Sequence, residues 1–99
     1  MNKIIIDGIT SVEIVPIQAT FISPEKSSEL GVKIIADNLI DQAALYWCLF
    51  FPITTPDGLT FGKSAEGNLT ISGINYETWN GNNDYPYTFT ADALNLTIV

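Results

Sequence analysis

The segment 43–51 limits how this chain can fold, because every one of its residues is apolar. As a strand it would have two apolar faces, which must both be covered. In a chain of 99 residues, one core covers only one of them. The other requires either a partner chain or a local helix or loop. The two faces would be Ala44, Tyr46, Cys48 and Phe50 on one side, and Ala43, Leu45, Trp47, Leu49 and Phe51 on the other.

Length and residue usage predict one mainly β domain that spans residues 1–99. Ile, Val and Thr are frequent and turn signals recur at short intervals, a pattern typical of an antiparallel, sandwich-like domain. One or two short helical turns are expected near the C-terminus. Tyr76 and Trp79 have the spacing of one helix side, and Asp84 is placed to cap a helix entered at Tyr85–Pro86.

Alternation and turn residues set the expected strand boundaries. Pro16 marks an edge strand or a bulge, because proline cannot donate to a ladder. Turns are expected at 38–42, 55–58 and 64–67, and a polar loop at 23–29. The predicted strands are 3–7, 11–22, 32–39, 43–51, 59–62, 68–72 and 96–99.

The charge inventory excludes several functions. The net charge is −7, and the only basic residues are four lysines, with no arginine and no histidine. Binding to nucleic acid or to an anionic membrane depends on Lys and Arg, so neither partner is expected. Histidine catalysis and imidazole zinc sites are impossible. We therefore expect no metal and no cofactor.

Cys48 and the carboxylates give no reason to expect an enzyme. Cys48 is the only cysteine, so it cannot form an intramolecular disulfide, and it has no histidine to activate it. The eleven acidic residues are spread along the chain, and no spacing selects a catalytic pair. The apolar run 4–6 is too short for a signal peptide, and residues 43–51 are too few to span a membrane. These features favour synthesis in the cytoplasm.

An aromatic cluster near the C-terminus allows three interpretations. Tyr76, Trp79, Tyr85 and Tyr87 are interleaved with Asn and Asp residues. Such a set can be a satellite core, a protein interface, or a platform on which a sugar stacks. The alternating polar residues of 80–84 start like a calcium loop, but the glycine and glutamate that such a loop needs are missing.

A set of short motifs in the second half of the chain resembles a known group of proteins. These motifs are residues 45–50, 67–73, 76–79, 84–85 and 94–98, which read LYWCLF, GNLTISG, YETW, DY and LNLTI. The pattern resembles small virion or tail-associated proteins of tailed bacteriophages. The resemblance implies a viral structural protein that resides in the virion, is made in the bacterial host cytoplasm and has no catalytic residues.

The sequence favours a non-enzymatic assembly component of a phage particle, in the tail, neck or head surface. It would act through apolar and aromatic contacts with copies of itself or with neighbouring virion proteins. The alternative is a small acidic inhibitor that binds a basic groove of a host enzyme, and a sugar-binding appendage is a third option. The predicted interface or core residues are Tyr46, Trp47, Phe51, Tyr76, Trp79 and Tyr85.

Overall fold

The structure is a computed structural model that describes residues 3–10, 19–79 and 82–99. Within these ranges the chain forms five strands followed by two helices. The elements are β1 (Lys3–Ile9), β2 (Ala19–Phe21), β3 (Ser27–Asp37), β4 (Gln42–Thr55), β5 (Gly58–Ser72), α1 (Ile74–Trp79) and α2 (Tyr85–Leu94).

These strands form one antiparallel sheet in the order β1-β3-β4-β5-β2. The mainly β, antiparallel fold with two short C-terminal helices is therefore confirmed. In the described part of the chain, the helices and not a second sheet form the second layer. A sheet with one apolar face needs only one covering layer, and an amphipathic helix can provide it.

The core lies between the sheet and the helices. Each strand contributes alternate residues to this side, and α2 adds Ala91 and Leu94. The segment after α2 adds Leu96, and Ile98 forms an isolated bridge with Ile6 where a short final strand was predicted. The buried residues contributed by the sheet are Ile6, Leu30, Val32, Leu45, Trp47, Leu49, Ala65 and Ile71.

Local sequence accounts for both ends of α2. Pro86 sits in the first turn, where its missing N–H costs nothing. Asp84 occupies the N-cap position as predicted, although its side chain makes no capping hydrogen bond. Asn95 ends the helix in the left-handed region at φ 59°, which asparagine tolerates well. Leu96 N–H then donates to the Ala91 carbonyl at 2.8 Å.

Two of the predicted loops are strands in the structure. The turn expected at 64–67 is wrong, because β5 runs without a break from Gly58 to Ser72. The register shifts there, and the buried Ser64 hydroxyl lies 2.6 Å from that of Ser27. The polar loop expected at 23–29 ends earlier, because β3 already begins at Ser27. Pro16 and the predicted strand residues 11–18 lie outside the described residues.

Candidate interaction surface

The two faces of β4 have different surroundings. Leu45, Trp47 and Leu49 point towards the helices and are fully buried. Tyr46 and Cys48 point away from the helices. We call their side of the sheet the open face, because α1 and α2 both pack on the side of Leu45, Trp47 and Leu49. Among the described residues, the helices complete the core on one face of segment 43–51, and neither helix packs on the open face.

A hydrogen-bonded polar cluster occupies the centre of the open face. The Tyr46 hydroxyl donates to Glu66 Oε2, and Lys63 Nζ donates to the Tyr46 hydroxyl at 3.1 Å. Lys63 Nζ also lies 3.6 Å from Glu66 Oε2. Burial, and then the hydrogen bond to Glu66, raises the pKa of Tyr46. The hydrogen bond with Tyr46 raises the pKa of the Lys63 amino group.

Lys3 connects β1 to the aromatic side chains of the same face. Its Nζ lies 3.7 Å from the Phe61 ring centroid and 4.7 Å from that of Phe50. It also lies 3.6 Å from Glu29 Oε2. Cation–π contacts of this kind keep the ammonium over the ring faces. The open face is therefore amphipathic, with cations set among aromatic rings.

Cys48 is fully buried although it belongs to the open face. It pairs with Gly31 on one side and with Glu66 on the other. Burial raises the pKa of the Cys48 thiol, against the opposing effect of Lys63. A buried thiol with a raised pKa is a poor nucleophile, so this position contributes packing.

The distal part of the β4–β5 ladder projects beyond the rest of the sheet. The pairing of β3 with β4 ends at Glu29 and Phe50, whereas β4 and β5 stay paired as far as Thr55 and Gly58. We call the projecting hairpin, residues 51–62, the arm. Pro52 is compatible with this position because, among the described strands, β4 pairs there with β5 alone and so lies at an edge.

The arm displays exposed apolar side chains, and the only contact described above between one of them and another element is that of Lys3 in β1 with the Phe61 ring. Phe61 and Ile53 are exposed, and Leu59 is 63% exposed. Phe51 is half-buried because its ring lies across Gly62, where an added Cβ would come within 2.7 Å of it. Phe51 and Ile53 therefore both pack over Gly62, where only a glycine leaves room for them.

The turn between β3 and β4 is ordered by its own side chains. Asn38 Oδ1 accepts hydrogen bonds from the N–H groups of Ile40, Asp41 and Gln42 at 2.9–3.0 Å. This network holds Leu39 in the left-handed region at φ 60°, an unfavourable conformation for leucine. Leu39 is nevertheless 83% exposed and Ile40 79%.

The structure places the predicted interface or core residues in three environments. Trp47 lies in the core. Tyr46 is half-buried on the open face, and Phe51 is half-buried in the arm. The remaining three, Tyr76, Trp79 and Tyr85, are half-buried and pack against the core from the helical layer.

Tyr76, Trp79 and Tyr85 hold the helices to the sheet and to one another. The rings of Tyr76 and Trp79 meet edge to face with centroids 5.8 Å apart. The Tyr76 hydroxyl donates to Asp37 Oδ1 at 2.7 Å, and this hydrogen bond raises the pKa of Tyr76. The Tyr85 hydroxyl donates to Asn75 Oδ1 at 3.2 Å and so joins α2 to α1. This arrangement is that of a satellite core with its edges open to solvent.

Sequence reasoning missed the residues that stand out most on the surface. Leu39 and Ile40 fell within a predicted turn, and Phe61 and Lys63 were not singled out. One signal was present, since two neighbouring apolar residues in a tight turn are unusual. The contact of Lys3 with Phe61 could not be inferred, because it depends on how β1 and β5 are brought together in the sheet.

A shallow cavity between β3 and the start of α2 has a volume of about 470 Å³. Asp84 is the one ionisable carboxylate in its lining, which also includes Val32, Ile34 and Tyr87. Within residues 3–10, 19–79 and 82–99, no three carboxylate, cysteine or histidine side chains gather closely enough to hold a metal ion. This cavity therefore contains no pair of carboxylates.

Comparison with protein-family models, with curated proteins and with solved structures finds no match for this chain. Neither described helix has the length and apolar character needed to cross a membrane. Function is therefore inferred from the surface itself.

Proposed function

We propose that this chain is a non-enzymatic assembly component of a phage particle, in the tail, neck or head surface. It binds copies of itself or neighbouring virion proteins through apolar and aromatic contacts. The observation that carries this proposal is the arm, a hairpin that projects from the sheet with Ile53, Leu59 and Phe61 exposed. An extended hairpin with apolar side chains gains stability when a second protein covers it.

The rest of the surface supports the same proposal. Large apolar side chains are also exposed outside the arm, including Ile5, Phe21 and Ile35. Stable assembly interfaces are more apolar than ordinary surfaces. Only 15% of the residues are charged and the mean hydropathy is +0.23. A surface of this kind is suited to a protein that works largely covered by its neighbours.

The assignment to a phage particle is supported by the resemblance of residues 45–98 to small virion and tail-associated proteins. The aromatic motifs of that resemblance lie in β4, α1 and the start of α2. These motifs support the fold and the class of protein, whereas the arm indicates how the chain would bind.

The proposal is tested by measuring absolute mass with light scattering, at low and high salt and over a range of concentrations. A concentration-dependent oligomer that persists at high salt is expected, because apolar contacts are not screened. A monomer under all conditions would overturn self-assembly. A pull-down at low salt would then search for a different partner.

The acidic-inhibitor alternative is favoured by one specific observation. The helical layer carries the exposed acids Glu77, Asp84 and Asp92, and neither described helix contains a lysine. Such a face suits a basic groove. Binding through it would weaken steeply as salt increases, the opposite of the behaviour expected of the arm.

A further inference from the structure

The strand edges of the sheet differ in how they are protected. An open edge is a template for pairing with another strand, so proteins usually block it. The outer edge of β1 is paired, because Asp7 N–H donates to the Thr97 carbonyl and Val99 N–H donates to the Ile5 carbonyl. β2, at the other side of the sheet, is only three residues long. The edge of β4 within the arm contains Pro52, which has no N–H to offer.

The edge of β5 within the arm presents backbone groups to solvent. Phe61 pairs with Pro52, and because proline cannot donate, this pair is of the kind that exchanges no hydrogen bonds. The N–H and carbonyl of Phe61, and by alternation those of Leu59, therefore point away from β4. β2 pairs with β5 only at 65–67. Among the described strands, none pairs with this side of β5 at residues 58–62, which we call the free edge.

The side chains of the free edge do nothing to block it. Its sequence is Gly-Leu-Thr-Phe-Gly, which contains neither a charge nor a proline. Leu59 and Phe61 are exposed on the side of the open face, where Phe61 contacts Lys3. Thr60 is exposed on the opposite side. The free edge is therefore ready to pair, with an apolar side and a β-forming threonine.

The free edge is limited at both ends. At one end β5 begins after the Pro56–Asp57 turn. At the other end β2 takes the next position along β5, because Ile22 N–H donates to the Ser64 carbonyl at 2.8 Å. A strand that pairs with the whole free edge must therefore end or turn at the level of Lys63.

The free edge of a second copy meets these requirements. In an antiparallel pair centred on Thr60, Leu59 of each copy lies opposite Phe61 of the other. Each of these two residue pairs exchanges two hydrogen bonds, so every outward N–H and carbonyl of Leu59 and Phe61 gains a partner. Asp57, in the turn, then lies opposite Lys63, which is the level at which an incoming strand has to turn.

The side chains also match in this register. Leu59 and Phe61 of both copies form one apolar strip, and the two Thr60 side chains meet on the other side of the sheet as a favourable cross-strand pair. A shift by two residues in one direction would put the turn opposite Ala65, where Phe21 of β2 already pairs. The opposite shift would leave Phe61 facing the turn instead of a strand.

We infer that the free edges of two copies pair antiparallel about a two-fold axis at Thr60 and join the two sheets into one. This inference rests on the proposed assembly function, for which it names the contact. The same residues meet on both sides of the axis, so the contact closes at a dimer. Because residues 58–62 are uncharged, salt has little effect on it.

Charge substitutions at the two-fold axis test this arrangement. Thr60→Lys and Thr60→Glu each place like charges directly opposite one another, whereas an equimolar mixture of the two places lysine opposite glutamate. The matched controls are Thr54→Lys and Thr54→Glu, which change the net charge equally. Thr54 is also exposed in the arm, but it lies on β4, away from the axis.

Each protein is measured at low salt over a range of concentrations by light scattering and sedimentation, with circular dichroism to verify folding. We expect either Thr60 variant alone to raise the midpoint concentration of dimer formation at least about fivefold, equivalent to about 1 kcal/mol. Their mixture should form a 1:1 dimer at the wild-type midpoint or below it. The Thr54 variants, alone or mixed, should dimerise like the wild type.

Three results would overturn the inference. If the folded Thr60 variants dimerise like the Thr54 controls, or if their mixture dimerises no better than either variant alone, pairing of the free edges is wrong while assembly through another surface stands. If the wild type is itself monomeric at all concentrations, both this inference and the proposed self-assembly fail.

Discussion

The β4–β5 ladder has two halves that both carry large apolar side chains but differ in what surrounds them. In the inner half, Leu45 and Leu49 are fully buried beneath the helices. In the arm, Ile53 lies on the same side of β4 as Leu45 and Leu49 and is exposed. The difference begins where β3 stops pairing with β4, at Phe50. Apolar character therefore does not decide which half of the ladder belongs to the core. The extent of β3 and of the helical layer decides it.

A matched pair of leucine truncations tests this contrast most directly. Leu45→Ala should lower the free energy of unfolding by about 2–5 kcal/mol, because it leaves a cavity in the core. Leu59→Ala should change it by less than about 0.5 kcal/mol, because the side chain is already in water. Urea unfolding of dilute, monomeric protein measures both. Equal losses would show that the arm is packed as tightly as the core.

The serine pair where the register shifts should give the next largest effect. Ser27→Ala should cost about 1–3 kcal/mol, because it leaves the buried Ser64 hydroxyl without its partner. Adding Ser64→Ala should cost little more, since both polar groups are then removed together. A double-mutant cycle from urea unfolding gives the coupling. Additive losses would mean that the two hydroxyls do not depend on each other.

Leu39 offers a change that stabilises the fold. Leu39→Asn should raise the free energy of unfolding by about 1 kcal/mol, because asparagine adopts positive φ more readily than leucine. Leu39→Ala removes the same apolar side chain and retains the unfavourable φ, so it should give no such gain. Thermal unfolding compares the two variants. A gain for alanine as large as that for asparagine would contradict the backbone explanation.

The smallest effect is confined to alkaline pH. The pKa of Tyr46 is raised, first by burial and then by the hydrogen bond to Glu66. The folded state therefore keeps this proton where the unfolded state, with a pKa near 10, releases it. The contribution of Tyr46 to the free energy of unfolding is therefore fully present below pH 10, and it is lost as the pH rises through the pKa of Tyr46 in the folded state. Tyr46→Phe should make the decline shallower in urea unfolding between pH 9 and 11, and an unchanged slope would rule out this contribution.

Much of the fold follows from the sequence, because apolar runs and turn residues can be recognised from a few neighbouring residues. The apolar run 43–51, the Pro56–Asp57 turn and the Tyr85–Pro86 helix entry each predicted an element that the structure contains, although β4 extends beyond the run to Thr55. The failure at 64–67 has a tertiary cause. Ala65 and Gly67 look like turn residues, yet they pair with Leu49 and Trp47, beside which small side chains make room for large ones.

The candidate surface was less predictable, because the exposure of a strand depends on which other elements pack against it. The sequence identified Tyr46 and Phe51, but nothing local distinguishes the exposed Phe61 from a core phenylalanine. The arm is set by where β3 begins, because β3 stops pairing with β4 at Glu29, and β3 begins several residues before the predicted start. Its exposure could be read only from the assembled sheet.

The positions of the two tryptophans have a spectroscopic consequence. Trp47 is buried in the core and Trp79 packs on it from α1, whereas the arm contains no tryptophan. Indole emission should therefore shift strongly when the chain unfolds and change little when copies associate through the arm. Fluorescence and light scattering recorded on one sample would then follow the folding equilibrium and the assembly equilibrium as two independent signals.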